Sequence, residues 1–163
     1  MVIGCPGSGK STFSRALAGL TGIPLHHMDL MYWNSDGTKV EKSVFDARLE
    51  EAIRQEKWII DGNYGASMEQ RLAACDTVIF LDYPLEVCLE GVRARRGKER
   101  PDIPWTEKEE DKEFIGFIQS YRENSRPHVL ERIGRYPGRE VHIFTCRDEA
   151  DEFLKEIGKT GNR

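Results

Sequence analysis

Gly4-Cys5-Pro6-Gly7-Ser8-Gly9-Lys10-Ser11 satisfies the pattern G-x-x-x-x-G-K-[ST], and this one segment restricts the architecture of the chain more than any other. The pattern works only between a strand and a helix. The strand aims the loop, the glycines let successive backbone N–H groups turn inward on phosphate oxygens, and the helix adds the positive end of its dipole. Its surroundings comply. Met1 to Gly4 is a short apolar run, and Lys10 to Leu20 places Phe13, Ala16, Leu17 and Leu20 on one helical stripe. A chance match in 163 residues is on the order of 1%. We therefore expect Gly4, Pro6, Gly7, Ser8, Gly9, Lys10, Ser11 and Thr12 to bind the phosphates of ATP. Lys10 should reach the β- and γ-phosphates, Ser11 should ligate Mg²⁺, and Thr12 should touch the α-phosphate.

The rest of the chain repeats the alternation of strand and helix. β-like runs at Leu25 to Met28, Trp58 to Asp61, Thr77 to Asp82 and Glu140 to Thr145 each lead into a helical segment, the pattern of βαβ units on a parallel sheet. The predicted fold is a three-layer α/β/α P-loop NTPase, folded as one domain over residues 1–163. Gly22 and Pro24 stop the first helix. Ser43 with Asp46 resembles a capping box, opening a helix with Phe45, Leu49, Ala52 and Ile53 on one face. Leu85 to Arg96 forms another, and Thr106 with Glu109 reads as the cap of a long helix that turns Phe114, Phe117, Ile118 and Tyr121 inward until Arg126-Pro127 restarts it. Only Met1, Val2 and Ile3 precede Gly4, against ~5–6 residues in a usual strand. The first strand is therefore expected to be abbreviated, at some cost in stability.

Two segments exceed a minimal core, Leu30 to Lys42 and Gly97 to Trp105. Both leave the carboxyl ends of strands, where open α/β sheets bind ligands. Asp29, Asp61 and Asp82 close three of the β-runs and should gather at the same edge. Phosphoryl transfer needs one acid to support Mg²⁺ and uses another to orient or deprotonate the accepting hydroxyl. It also needs cations over the transferring group. Arg93, Arg95, Arg96, Lys98 and Arg100 lie together, with Arg122 and Arg126 four apart on a later helix.

Charge and composition exclude other classes. With 24 Lys+Arg against 28 Asp+Glu, the net charge is -4, the wrong sign for a dedicated duplex-DNA binder. No run approaches 18 apolar residues, so no membrane span is expected, and the protein reads as cytoplasmic and monomeric. Cys5, Cys75, Cys88 and Cys146 have no metal-ligand spacing and read as reduced, mostly buried thiols.

Taken in order, Gly4 to Thr12, Trp58 to Tyr64, Val78 to Asp82, the Arg93/Arg96 helix end, Arg100-Pro101-Asp102 and Arg126-Pro127 resemble the DNA topology modulation proteins, a group related to adenylate kinases. The resemblance runs nearly the full chain. It implies a five-stranded parallel sheet of order 2-3-1-4-5, an acceptor-binding excursion at about 30–56 and a lid at about 97–113. It further implies that Asp61 supports Mg²⁺ through water and that Arg93, Arg96, Arg122 and Arg126 clamp phosphate; Asp29, from its place at a strand end, is expected to join the catalytic set. Adenylate kinases follow Asp-Gly with Phe-Pro-Arg, whereas this chain has Asn63-Tyr64-Gly65. Arg71 either substitutes for that arginine or is a surface residue. Met31-Tyr32-Trp33 either stacks on a ring or packs in the core, and His26 and His27 are expected to pack or cap locally. The function expected is ATP:Mg²⁺-dependent phosphoryl transfer to a nucleotide or other small acceptor. The alternative is an ATP-binding regulator associated with DNA topology, without small-molecule turnover.

Overall fold

A computed structural model describes residues 1–106 and 111–161. The elements in chain order are β1 (Val2–Gly4), α1 (Lys10–Thr21), β2 (Leu25–His27), α2 (Met28–Tyr32), α3 (Lys42–Ile53), β3 (Ile59–Asp61), α4 (Met68–Ala74), β4 (Thr77–Leu81), α5 (Leu85–Arg95), α6 (Lys112–Asn124), α7 (Arg126–Gly134), β5 (Glu140–Phe144) and α8 (Arg147–Gly161). The strands form one parallel sheet in the order β2-β3-β1-β4-β5. This is the P-loop kinase arrangement. Each predicted strand is present, trimmed by one residue at an end.

Alternation along the strands divides the core between the two faces of the sheet. From β4, Ile79 and Leu81 join Phe13, Leu17, Cys88, Val92 and Ile118 beneath α1, α5 and α6. Val78 and Phe80 point the other way, onto Met68, Leu72, Val129 and Ile133 of α4 and α7. A smaller cluster of Met28, Met31, Phe45, Leu49, Ala52 and Ile60 roots the first excursion. The brevity of β1 is not peculiar to it: β2 and β3 are also three residues long, and β1 meets β3 at Val2 and Asp61.

Several local expectations need correcting. Helix α3 opens at Lys42 after Glu41, so Ser43 lies inside the first turn and caps nothing; Asp46 instead pairs with Lys42 one turn back. The α6 cap is Asp111, whose carboxylate accepts from the N–H groups of Glu113 and Phe114. The Thr106–Glu109 cap rests on Glu109, which lies outside the described residues. Phe117 is 42% exposed rather than core. Gly22 does close α1, with φ 69° and its N–H on the Ala18 carbonyl. The restart at Arg126 also occurs, with only Ser125 between α6 and α7. Cys5, Cys75 and Cys88 are buried and Cys146 is exposed, all four as free thiols.

Candidate functional site

The phosphate loop rises from β1 and is seated by glycine. Gly7 and Gly9 have φ of 84° and 90°, a backbone that side chains resist, and Gly7 packs so closely on α5 that a Cβ there would lie 2.0 Å from the Cys88 carbonyl oxygen. Gly91 of α5 returns the contact, since its own Cβ would meet the Gly7 carbonyl at 2.0 Å. Helix α5 is thereby held against the loop, and its next turn is aimed at whatever the loop binds. Lys10 folds back beneath the loop and donates to the carbonyls of Gly4 at 2.9 Å and Cys5 at 3.2 Å. Burial pulls its ammonium below the ordinary lysine range, against the attraction of Asp61, Cys5 and Asp29.

A cleft of about 700 Å³ opens over the loop. Pro6, Gly7, Gly9, Lys10, Ser11 and Thr12 line one wall, with Asp29 and Asp61 across from them. Gly4 and Ser8 lie beneath, Ser8 being 3% exposed. Asp61 is 4% exposed at the end of β3, and His27 Nδ1 lies 2.9 Å from each of its oxygens. A carboxylate only accepts, so the ring carries its proton on Nδ1 and fixes Asp61 in place. This is the role that local packing of His27 does not describe. Asn63 accepts from the Gly4 N–H at 3.1 Å, tying the turn after β3 to the phosphate loop.

Arg71 holds that turn from below. It is 0% exposed and donates to the Gly62 carbonyl at 2.7 Å, to Tyr64 at 3.1 Å and to Asn63. Burial pulls its guanidinium down to about 10, which leaves it charged at neutral pH. It is neither a surface residue nor a grip for the acceptor. The turn it supports carries strain, with Tyr64 at φ 30°. Arg71→Leu would leave these buried carbonyls unpaired, and it is expected to lower the unfolding free energy by about 3 kcal/mol in a urea titration.

Tyr64 donates its hydroxyl to Asp29. Burial raises the Asp29 carboxyl above the usual range, while the Tyr64 hydrogen bond and Lys10 pull it back in part. The Met31-Tyr32-Trp33 run divides: Met31 is core, Tyr32 packs edge-on against Phe45 and Tyr64, and Trp33 lines the cleft. The Trp33 ring also meets Trp105 edge-on at 5.2 Å, so the first excursion touches the second.

The arginines are distributed differently from the sequence-based expectation. On α5 the residues lining the cleft are Gly91, Ala94 and Arg95, spaced i, i+3, i+4 from the glycine that packs on the loop. Arg93 is exposed on that helix, out of phase with this stripe, and Arg96, just past its end, is exposed too. Arg122 is exposed on α6. Arg126 lies outside the cleft lining and is bound to Asp82, Nε at 2.8 and 2.9 Å and Nη2 at 2.7 Å, a pair that pins the start of α7 to the end of β4. The cleft receives instead Arg95, Lys98, Arg100, Arg15 and Arg147. Counting helical phase from Gly91 would have found Arg95.

The sequence marks Asp102 only as part of Arg100-Pro101-Asp102, with no signal that it enters the site. It is 2% exposed, lines the cleft, and pairs with Arg100 and, at 3.5 Å, with Arg15 one turn beyond Ser11. Burial pushes its carboxyl up, but Arg100, the Ser11 hydroxyl and His27 outweigh burial and hold it below the usual carboxylate range.

The donor set suits Mg²⁺ carried in by phosphates. Among the described residues no group of three His, Cys, Asp or Glu could cage a metal, but Ser11 and Asp61 offer hard oxygens on one cleft, and Mg²⁺ takes one or two protein ligands beside phosphate and water.

Comparisons with solved structures agree with this architecture. The chain is similar to shikimate kinase from Acinetobacter baumannii in complex with shikimate, at 21% identity and TM-score 0.61 over 98% of this chain and 92% of that one. It is also similar to shikimate kinase from Bacteroides thetaiotaomicron, at 17% and 0.55 over 99% and 96%. A gluconokinase from Sinorhizobium meliloti matches at 15% and 0.55 over 99% and 90%. No protein-family model and no curated protein matches the chain. Strand order, phosphate loop and these likenesses together define a P-loop NTPase fold of the kinase type. No described helix is long and apolar enough to cross a membrane.

Proposed function

We propose that this protein transfers the γ-phosphoryl group of ATP to a hydroxyl of a small-molecule acceptor. The observation that carries the reading is the cleft itself, where Lys10 and the glycine loop share the lining with half-buried Asp29 and buried Asp61. Asp29 takes the acceptor proton as the hydroxyl oxygen bonds to the γ-phosphorus, and the bond to the β,γ-bridging oxygen breaks to release ADP. Lys10 and Arg95 stabilise charge on the transferring group, while Ser11 and Asp61 would hold Mg²⁺. Mg²⁺ would neutralise the β- and γ-phosphate oxygens. His27 and Asn63 keep Asp61 and the loop in register. Residues 97–113, of which 107–110 lie outside the described residues, serve as the lid and exclude water. The shikimate kinases and gluconokinase supply the fold-level analogy, and the ordered motifs extend it to the DNA topology modulation proteins. A charge of -4 favours an effect on DNA through small-molecule chemistry rather than contact, and a monomer suffices for the site.

Coupled detection of ADP across an acceptor panel tests the reading. Acceptor-dependent ADP release is expected; background hydrolysis alone, whatever the acceptor, would contradict it. A second experiment concerns pH. Asp29 acts as base only when ionised, so activity rises with pH through its titration. The acid limb of kcat/KM is expected above the ordinary carboxylate value of about 3.9, because burial raises Asp29. Tyr64→Phe removes a hydrogen bond that favours the ionised form. The limb should move further up, with a several-fold loss at the acid end and little change on the plateau.

A further inference from the structure

Asp102 takes no part in the transfer chemistry, yet it is buried, charged and in the lining of the cleft. A carboxylate so far from water needs partners, and its partners come from two separate elements. Arg100, in the polar segment after α5, donates to one oxygen through Nε at 3.3 Å and to the other through Nη2, a side-on fork. Arg15, on α1, brings Nη1 to 3.5 Å. Its Nη2 donates to the Thr12 hydroxyl at 3.4 Å, and it stands one helical turn after Ser11. The three side chains thus meet against the first turn of α1, at the residues that complete the phosphate loop, and all three line the cleft. The segment that carries Asp102 is itself seated: Ile103 is 7% exposed and Trp105 lies edge-on to Trp33.

Charge explains the arrangement. Two guanidiniums brought to one place repel, and a carboxylate shared between them offsets that repulsion while the trio stays net positive. A guanidinium is a rigid plane of donors, so a carboxylate that fixes one edge also fixes where the plane points. A phosphate then meets donors already oriented. We propose that Asp102 is a positioning residue for the nucleotide: it sets Arg15 and Arg100 against the polyphosphate, so that the phosphate helix and the lid grip it through one carboxylate. This inference takes its ligand from the phosphotransferase reading, but it concerns binding alone and needs no acceptor.

The test is calorimetric titration of the full chain, in Mg²⁺, with a non-hydrolysable ATP analogue and with inorganic tripolyphosphate, which probes phosphate contacts without the base. Asp102→Asn keeps the shape and removes the charge, and it should weaken both ligands by roughly tenfold to a hundredfold. Arg15→Ala should cost several-fold in the wild-type chain and almost nothing further beside Asp102→Asn, because the arginine is then already misplaced. A carboxylate that only braced the lid would give losses that add, and additivity would overturn the proposal. So would unchanged or tighter binding by Asp102→Asn, the result expected of a carboxylate that withholds its arginines from phosphate. Where Asp102→Asn fails to fold, Arg15→Ala decides alone: its side chain is 40% exposed, and tripolyphosphate affinity equal to wild type would again overturn the proposal. Binding losses as expected, with no transfer to any acceptor, would sink the phosphotransferase reading and leave this assignment standing.

Discussion

Lys10→Ala is expected to lower kcat/KM for acceptor-dependent ADP formation by about a thousandfold or more while leaving the fold intact. The lysine is the one cation rooted in the phosphate loop, where it donates to the Gly4 and Cys5 carbonyls. Loss of a single neutral donor to a developing charge costs ~10²–10³ in rate. Loss of a full charge in a site closed to water costs more, and each further factor of ten corresponds to about 1.4 kcal/mol. Stability should move the other way. Burial lowers the lysine's pKa, so the folded state disfavours its charge, and a neutral alanine relieves that cost. Melting at or above the wild-type temperature, together with the collapse in rate, would separate a chemical role from a structural one. A variant that melts early and loses activity in proportion would contradict the assignment.

Asp29→Asn is the second large effect, an expected loss of ~10²–10⁴ in kcat with the affinity for ATP little changed. Asparagine keeps an oxygen that can accept from Tyr64 but cannot take a proton. The contrast with Tyr64→Phe is therefore diagnostic: the phenylalanine variant shifts the pH profile, whereas the asparagine variant removes its acid limb along with most of the rate. An Asp29→Asn enzyme retaining near wild-type kcat would move the base elsewhere, and Asp102 would be the first place to look.

The fold was legible because its signals are local. A phosphate loop is contiguous, strand runs announce themselves by β-branched and apolar content, and Gly22 or Arg126-Pro127 act on their immediate neighbours. The strand order needed the family resemblance, since nothing in β1 alone says that β3 and β4 flank it. The site was legible only in part, for the same reason. Lys10, Ser11 and Thr12 come with the loop, and Asp29 and Asp61 come with the ends of strands. The supports arrive from far away: His27 reaches Asp61 across 34 residues and Asn63 reaches Gly4 across 59. Arg71 illustrates the limit best. Its sequence context on a short helix reads as surface or as ligand grip, whereas the packing around it makes it the buried strut of a strained turn. Among the arginines, density misled and helical phase would have informed. Arg93 and Arg96 share the cluster with Arg95, yet only Arg95 lies on the stripe set by Gly91.

The central claim is that the γ-phosphoryl group crosses from the loop to a hydroxyl on the other side of the cleft. The most direct measurement incubates the protein with Mg²⁺, ATP labelled with ¹⁸O in its γ-phosphoryl group, and each acceptor that binds, and follows the label by mass spectrometry. The label is expected in an acceptor phosphate ester, with one ADP formed for each ester and none of either with Lys10→Ala. Label appearing only in inorganic phosphate, at a rate indifferent to the acceptor, would contradict the claim.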